Sequence, residues 1–254
     1  MRQLRYKFAV VSSLFYVPFY AVPKSRYYIR HREKYTDEDC YRLARRIMDF
    51  MRRRSRTETV AYGKENLPKE GSYIMYSNHQ GKYDALGILL NHDAPCAVLW
   101  EMHAARRFLA REVNGLLRGK EIDLGSLRAS VRAINEVARE VSEGRKYLIF
   151  PEGGYKDNGN NLQEFKDGCF LCALKSHAPI VPVAIYDSYR AMDTNTFEKV
   201  TTEVHYLETI GYEVYGTMKR NEIAALVKSR ISDKIDEISK RTKQKENVSM
   251  KEHN

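Results

Sequence analysis

The chain has 254 residues, a length that predicts one large domain or two small ones. Because 43% of the residues are apolar and 30% are charged, the chain can bury a core, and 14 glycines and 4 cysteines exclude collagen-like and disulfide-scaffold proteins. The formal net charge is +10, and residues 1–56 carry all of the excess, with 15 Lys/Arg and 5 Asp/Glu. Such asymmetry favours an anionic partner for this quarter of the chain: a membrane surface, a nucleic acid or an acidic protein.

The first apolar run, Phe8–Pro23, is flanked by basic residues on both sides. As a helix it would span about 24 Å, less than the roughly 30 Å hydrocarbon core of a bilayer, and Pro18 interrupts it. A secretory signal peptide and a buried core helix are the alternatives, but no small-residue cleavage site follows the run. The pattern therefore favours an interfacial or re-entrant membrane anchor with tyrosines at headgroup depth.

A second helix is predicted after Thr36, because Thr36 and the acidic residues 37–39 are typical of a helix N-terminus. One side of this helix is apolar, and arginines occupy much of the rest, at Arg42, Arg45, Arg46, Arg52, Arg53 and Arg54. A basic amphipathic helix can lie on anionic lipid, although it can also be the solvated face of a core helix. We predict that residues 1–56 form a membrane-associating segment that holds the protein, peripheral or monotopic, on the cytoplasmic face of the cell membrane. No nucleic-acid motif accompanies the charge, so we expect no nucleic-acid partner.

From about residue 57 onward, short apolar runs alternate with amphipathic segments. This alternation predicts an α/β fold, with a mixed, mostly parallel sheet flanked by helices, over residues 57–240. The predicted strands are Tyr73–Tyr76, Ala97–Trp100, Glu121–Leu124, Tyr147–Phe150, Ile180–Tyr186 and Thr202–Tyr206. The predicted helices are at about 82–91, 104–117, 127–143, 164–176 and 220–240. Residues 241–254 are predicted to be a flexible tail, and Cys169 and Cys172 to be small core residues one helical turn apart.

The first strand exit carries a histidine and an aspartate. After Ser77 the sequence reads N-H-Q-G-K-Y-D over residues 78–84 and then becomes an apolar helix. A turn at Gly81 would bring Asp84, in the first helical turn, next to the His79 ring. There its carboxylate can accept a hydrogen bond from one imidazole nitrogen, fix the tautomer and leave the other nitrogen as a base. Two alternatives stay open: Ser77 could complete a catalytic triad, or Asp84 could be only a helix cap and His79 a loop residue.

The second strand exit is rich in glycine. Residues 147–150 form a buried strand that ends in Pro151-Glu152-Gly153-Gly154, and Lys156 follows closely. Glycine N–H groups together with nearby cations can hold a phosphate, and a carboxylate can accept from a hydroxyl. The candidate substrate-binding residues are Glu152, Gly153, Gly154, Lys120, Arg128 and Lys156.

Four motifs in this order and spacing resemble the glycerophospholipid acyltransferase family, closest to bacterial 1-acyl-sn-glycerol-3-phosphate acyltransferases of the PlsC type. They are H-x4-D at 79–84, F-P-E-G at 150–153, F-K-D-G at 165–168 and V-P-V at 181–183, and the resemblance covers about residues 70 to 240. The resemblance implies a glycerol-3-phosphate acyltransferase-like fold, His79 as general base, Asp84 as its orienting partner, and a glycerol-phosphate site at the F-P-E-G motif. It implies no metal and no bound cofactor.

Two positions depart from the family pattern. Gly154-Tyr155-Lys156 stands where the family usually continues with Thr-Arg-Ser. Leu124 stands near the position where the family's second motif usually ends in an arginine. Lys120, Arg128 and Lys156 are the replacement cations that we predict for the phosphate.

The resulting hypothesis is transfer of a fatty acyl group to lysophosphatidic acid, with acyl carrier protein or coenzyme A thioester as co-substrate. The alternatives are another lysophospholipid or glycerol 3-phosphate as acceptor, a serine hydrolase acting through Ser77, and a non-catalytic membrane-surface protein.

Overall fold

The structure is a computed structural model that describes residues 7, 11, 13, 15–107, 109–192 and 198–252, and side chains up to residue 244. Within the predicted membrane-associating segment 1–56, residues 1–6, 8–10, 12 and 14 lie outside the described residues. The described part of the chain builds one seven-stranded sheet with helices on both faces. Its strands are β1 (Thr57–Tyr62), β2 (Ile74–Ser77), β3 (Cys96–Glu101), β4 (Lys120–Ile122), β5 (Lys146–Ile149), β6 (Ile180–Tyr186) and β7 (Val200–Tyr206).

The strand order is β1-β7-β6-β2-β5-β3-β4, and β6 and β7 form the antiparallel pair. Strands β2 to β6 therefore run in one direction, and their carboxyl ends meet at one edge of the sheet. The predicted mixed, mostly parallel α/β sheet is confirmed, and each of the six predicted strands is present within two residues of its predicted start. Strand β1 was not predicted, because only its first residue is buried and its residues form no apolar run.

The helices flank the sheet. Their bounds are α1 (Val22–Arg30), α2 (Asp37–Arg54), α3 (Asp84–Leu90), α4 (Met102–Ala105), α5 (Ala110–Leu117), α6 (Leu127–Ser142), α7 (Leu171–Ser176), α8 (Tyr212–Tyr215) and α9 (Arg220–Glu252). The helix predicted over 104–117 is two helices, because Leu109 has a φ of 66° and breaks the continuity. The last helix continues past residue 240 to Glu252, so the predicted end is wrong, since the polar residues after 240 are good helix formers.

Two apolar cores lie on opposite faces of the sheet. Side chains of α2, α3 and α5 pack on one face, where Ile47, Met75 and Val183 are fully buried. Side chains of α6, α7 and α9 pack on the other face, where Val137 and Ile231 are fully buried. This arrangement gives three layers, with the sheet in the middle.

The N-terminal segment packs on the sheet domain along one side. Thr36 caps α2, and its hydroxyl accepts from the Asp39 N–H at 3.1 Å, as the sequence predicted for a helix start there. Before α1, a π-helical turn covers Val17–Ala21, with Val17 and Ala21 buried. Phe15 and Phe19 lie on the other side, 83% and 76% exposed. Among the described residues no helix is both long enough and apolar enough to cross a membrane.

Candidate active site

The candidate site lies where two neighbouring parallel strands end. Tyr76 of β2 pairs with Ile149 of β5, so the loops that follow these strands leave the sheet side by side. The first loop carries His79, and the second carries Pro151–Gly154. The carboxyl ends of parallel strands are the usual place for a ligand site in an α/β sheet.

His79 and Asp84 are in contact. The His79 Nδ1 atom lies 2.6 Å from Asp84 Oδ2, with Asp84 buried at the first position of α3. The same oxygen accepts from the backbone N–H groups of Gln80 and Gly81. The turn at Gly81 thus brings the two side chains together, as its position in the sequence suggested. Since Nδ1 donates to the carboxylate, Nε2 is the ring nitrogen left to accept a proton.

The His79 ring is held between two aromatic side chains. Phe150 stacks on it with ring centroids 4.4 Å apart, and Tyr155 meets it edge-on at 4.9 Å. The His79 side chain keeps 19% of its surface exposed, and it lines a large cavity. The ring is therefore fixed in orientation and still open to a ligand.

A second loop completes the support of the carboxylate. The Ser188 hydroxyl donates to Asp84 Oδ1 at 2.6 Å, and the Ser188 N–H donates to the Gln80 side chain at 2.8 Å. Gln80 in turn donates to Asn160 and to the Ile185 carbonyl. Sequence reasoning missed Ser188, because it lies 104 residues after Asp84 and no local spacing joins the two.

Both carboxylate oxygens of Glu152 accept hydrogen bonds from other groups of the protein. It accepts from the His79 backbone N–H at 3.1 Å and from the Gln163 amide. Burial raises the pKa of Glu152, and these two bonds oppose that rise. In this structure Glu152 therefore anchors the backbone of His79, which is a different task from the substrate contact that the sequence predicted.

Gly153 brings a cation close to the site. It adopts a φ of 73°, and a Cβ atom at this position would lie 2.7 Å from Lys166 Nζ. The positive φ favours glycine, and a larger residue here would displace the end of the Lys166 side chain. Gly153, Gly154 and Lys166 all line the cavity that His79 lines.

The structure does not bring the three predicted cations to this cavity. Lys120 Nζ pairs with Glu140 at 2.9 Å, and Arg128 lies on an outer groove of α6. Lys156 follows Tyr155 on the surface and is not among the described lining residues. Among the described residues, the Lys and Arg side chains that line the cavity are Lys82, Arg107 and Lys166. Lys166 belongs to the F-K-D-G motif, which was the one sequence signal available for it.

The cavity itself is large and mostly apolar. Its volume of about 1250 Å³ exceeds the roughly 300–1,000 Å³ typical of small-molecule pockets. Its apolar wall includes Ile47, Met51, Val98, Leu99, Ile134 and Ile149. It thus extends from α2 on one face of the sheet to α6 on the other, which suits a long apolar chain.

Three further sequence candidates lie outside this chemistry. The Ser77 hydroxyl is fully buried and donates to the Asn78 carbonyl at 3.1 Å, so it does not complete a triad with His79. Cys169 and Cys172 are free, buried core residues. Within the part of the chain that the structure describes, no group of three or more His, Cys, Asp or Glu side chains could hold a metal ion.

The structure thus places a histidine–carboxylate pair at the carboxyl ends of parallel strands, beside a large and mostly apolar cavity. The family model described as Acyltransferase matches residues 58–186, just over half of the chain, and the chain belongs to this family. The resemblance predicted from the four motifs is thereby confirmed.

Individual relatives agree with this assignment. The 1-acyl-sn-glycerol-3-phosphate acyltransferase of Borreliella burgdorferi is 23% identical over 181 residues, which cover 70% of this chain and 72% of that protein. The Escherichia coli enzyme of the same name is 25% identical, with 69% and 72% covered. The sheep 1-acyl-sn-glycerol-3-phosphate acyltransferase alpha is 28% identical, with 65% and 57% covered.

A solved structure shares the fold. The crystal structure of the 1-acyl-sn-glycerophosphate acyltransferase PlsC from Thermotoga maritima superposes with a TM-score of 0.74 at 21% identity. The superposition covers 93% of this chain and 95% of that one. The shared architecture therefore includes the N-terminal helices as well as the sheet.

Proposed function

We propose that the protein transfers a fatty acyl group from an acyl thioester to the free hydroxyl of lysophosphatidic acid and so makes phosphatidic acid. The observation that carries this proposal is the His79–Asp84 pair at a large apolar cavity, in a chain of the Acyltransferase family. The names of the relatives support the acceptor, since three of them are 1-acyl-sn-glycerol-3-phosphate acyltransferases.

The chemistry needs one base. His79 Nε2 removes the proton from the acceptor hydroxyl as its oxygen attacks the thioester carbonyl. The new carbon–oxygen bond forms, the carbon–sulfur bond breaks, and the thiolate leaves and takes a proton from the imidazolium. Asp84 holds the ring and stabilises its positive charge during this step. A thioester is already activated, so no covalent acyl-enzyme is required, and positioning supplies much of the rate.

The cavity and its cations supply the binding. The apolar wall takes an acyl chain, and Lys166 beside Gly153 lies where the acceptor's phosphate would meet the strand ends. Arg107 and Lys82 line the same cavity and add positive charge. This set replaces the predicted Lys120, Arg128 and Lys156 in our proposal.

The donor is either acyl carrier protein or coenzyme A, as the sequence predicted. Both are acidic, and both fit a basic protein with a formal net charge of +10. The proposal includes no metal and no resident cofactor in this reaction, because a base and a preactivated thioester are sufficient. It keeps residues 1–56 as the contact with an anionic membrane surface.

The test is transfer of labelled palmitate from each donor to lysophosphatidic acid, with lysophosphatidylcholine and glycerol 3-phosphate as competing acceptors. We expect the wild type to prefer lysophosphatidic acid and His79→Asn to lose 10²- to 10⁴-fold in kcat. His177→Asn is the matched control, because His177 is exposed and stacks on Tyr212 away from the site. Near-normal turnover by His79→Asn would refute the mechanism, and preference for another acceptor would refute the substrate.

A further inference from the structure

An exposed apolar strip follows strand β4 at the edge of the cavity. Leu124 and Leu127 are both exposed, and both line the cavity, so they lie at its mouth. Leu127 leaves 83% of its surface uncovered at the first position of α6, and Val131 is 41% exposed one turn further on. Residues four apart share one side of a helix, so Leu127 and Val131 form a continuous strip.

A second exposed apolar segment lines the same cavity. Pro18 is exposed and lines the cavity, and its sequence neighbours Phe15 and Phe19 are exposed and stack on each other. The mouth is therefore bordered by exposed apolar side chains from two segments that are more than 100 residues apart in sequence. Scattered exposed apolar residues are ordinary, but a set gathered around one opening marks an interaction surface.

Positive charge runs beside the strip on α6. Arg128 and Arg132 are exposed, stand one helical turn apart, and line a shallow surface groove together with Val131. Apolar side chains next to arginines are the composition of an interfacial helix surface, which buries its apolar side among acyl chains and holds its cations at the anionic headgroups.

We propose that residues 124–132 form a second membrane-contact surface, which meets an anionic bilayer together with the Phe15–Phe19 turn. The mouth of the cavity then faces the bilayer from both sides, and an acyl chain passes from lipid to cavity without crossing water. The proposal deepens the proposed function, on which it rests for the lipid nature of the substrate. It also gives Arg128 a headgroup contact instead of the acceptor contact that the sequence predicted.

The experiment compares two valines of similar exposure. Val131→Asp removes an apolar contact and adds a negative charge at the strip, whereas Val214→Asp makes the same change at a residue that is 47% exposed. Val214 lies in α8, shortly after Ile210, which pairs with the first residue of β6. Val214 is therefore close in sequence to the amino end of that strand, whereas the strip follows the carboxyl end of β4. Binding to phosphatidylglycerol–phosphatidylcholine vesicles is measured by sedimentation, and turnover is measured with a vesicle-embedded acceptor and with a short-chain acceptor in solution.

We expect Val131→Asp to bind vesicles at least tenfold more weakly and to lose turnover of the embedded acceptor in proportion. Turnover of the short-chain acceptor and the behaviour of Val214→Asp should match the wild type. Arg132→Gln serves as a second variant, and we expect it to weaken binding about threefold and to reduce its salt dependence.

Three outcomes would overturn the proposal. One is wild-type vesicle binding by both Val131→Asp and Arg132→Gln, and another is an equal loss in Val214→Asp. The third is a Val131→Asp variant that binds vesicles normally but loses turnover only when acyl carrier protein is the acyl donor. That result would make the strip a docking site for this acidic protein. Vesicle binding is measured without turnover, so failure of the proposed reaction in the wild type would stay distinguishable from failure of this surface.

Discussion

Two histidines lie at the two ends of helix α3 and have opposite environments. His79 precedes the helix, contacts the Asp84 carboxylate at 2.6 Å and lines the cavity. His92 follows the helix and is buried, with its Nε2 accepting from the Tyr73 hydroxyl and its Nδ1 donating to the Ala94 carbonyl at 2.8 Å. Burial lowers the pKa of His92 to about 4, so this ring stays neutral in the folded protein.

The comparison shows that the partners and the access decide what a histidine does. A carboxylate partner favours the imidazolium that forms when His79 takes a proton, whereas tyrosine and carbonyl partners around His92 satisfy only the neutral ring. The His79 side chain keeps 19% of its surface exposed at the cavity, whereas His92 is buried. One residue type thus serves proposed chemistry at one end of the helix and packing at the other.

The largest expected effect comes from removing the negative charge of Asp84, the partner that distinguishes His79 from His92. Asp84→Asn keeps the size of the side chain but cannot stabilise the imidazolium, so kcat should fall about 10⁴-fold, as in other histidine–aspartate sites. Steady-state transfer assays measure this change, and circular dichroism checks that the variant is folded. Turnover within tenfold of the wild type would mean that the Asp84 charge has no part in catalysis.

The second effect concerns stability as a function of pH. The pKa of His92 is about 6.5 in the unfolded chain and about 4 in the folded protein. Between these pH values His92 is protonated in the unfolded chain but neutral in the folded protein. The contribution of His92 to the free energy of unfolding is therefore fully present above pH 6.5 and is lost as the pH falls. The loss amounts to about 3 kcal/mol at pH 4. Urea unfolding at pH 7 and pH 5 tests this, and His92→Asn should show a flatter profile over the same range.

The same variant sharpens the contrast between the two rings. His92→Asn breaks the bonds to Tyr73 and Ala94, which should lower the free energy of unfolding at pH 7 by about 2 kcal/mol. Its kcat should stay within twofold of the wild type at a temperature where it is folded, because His92 is not among the described residues that line the cavity. A loss of kcat comparable to that of His79→Asn would contradict the structural role of His92.

The smallest effect comes from the hydroxyl behind the carboxylate. Ser188→Ala removes the bond to Asp84 Oδ1, and we expect kcat to fall about tenfold. With one donor fewer, the carboxylate attracts the imidazolium proton more strongly, so the pH–rate profile should move to higher pH. Ser188→Thr keeps the hydroxyl and should restore both values. An unchanged profile in Ser188→Ala would show that Ser188 only packs.

Features that depend on residues close together in the chain could be predicted from the sequence alone. Hydrophobic periodicity predicted six of the seven strands, and the glycine turn between His79 and Asp84 predicted their contact, because both signals depend on residues close together in the chain. The spacing of four motifs was sufficient to indicate the acyltransferase family.

The remaining features of the site depend on residues that are further apart in the chain, and they became visible only in the folded structure. The support of Asp84 by Ser188, the approach of Lys166 to Gly153 and the pairing of Lys120 with Glu140 depend on which loops the strand order places side by side. The cavity has the same origin, since its wall joins α2, α6 and the strand ends from distant parts of the chain. Contacts between residues tens to more than a hundred positions apart leave no periodic or spacing signal in a single sequence, so the cations that line the cavity could not be identified from spacing alone.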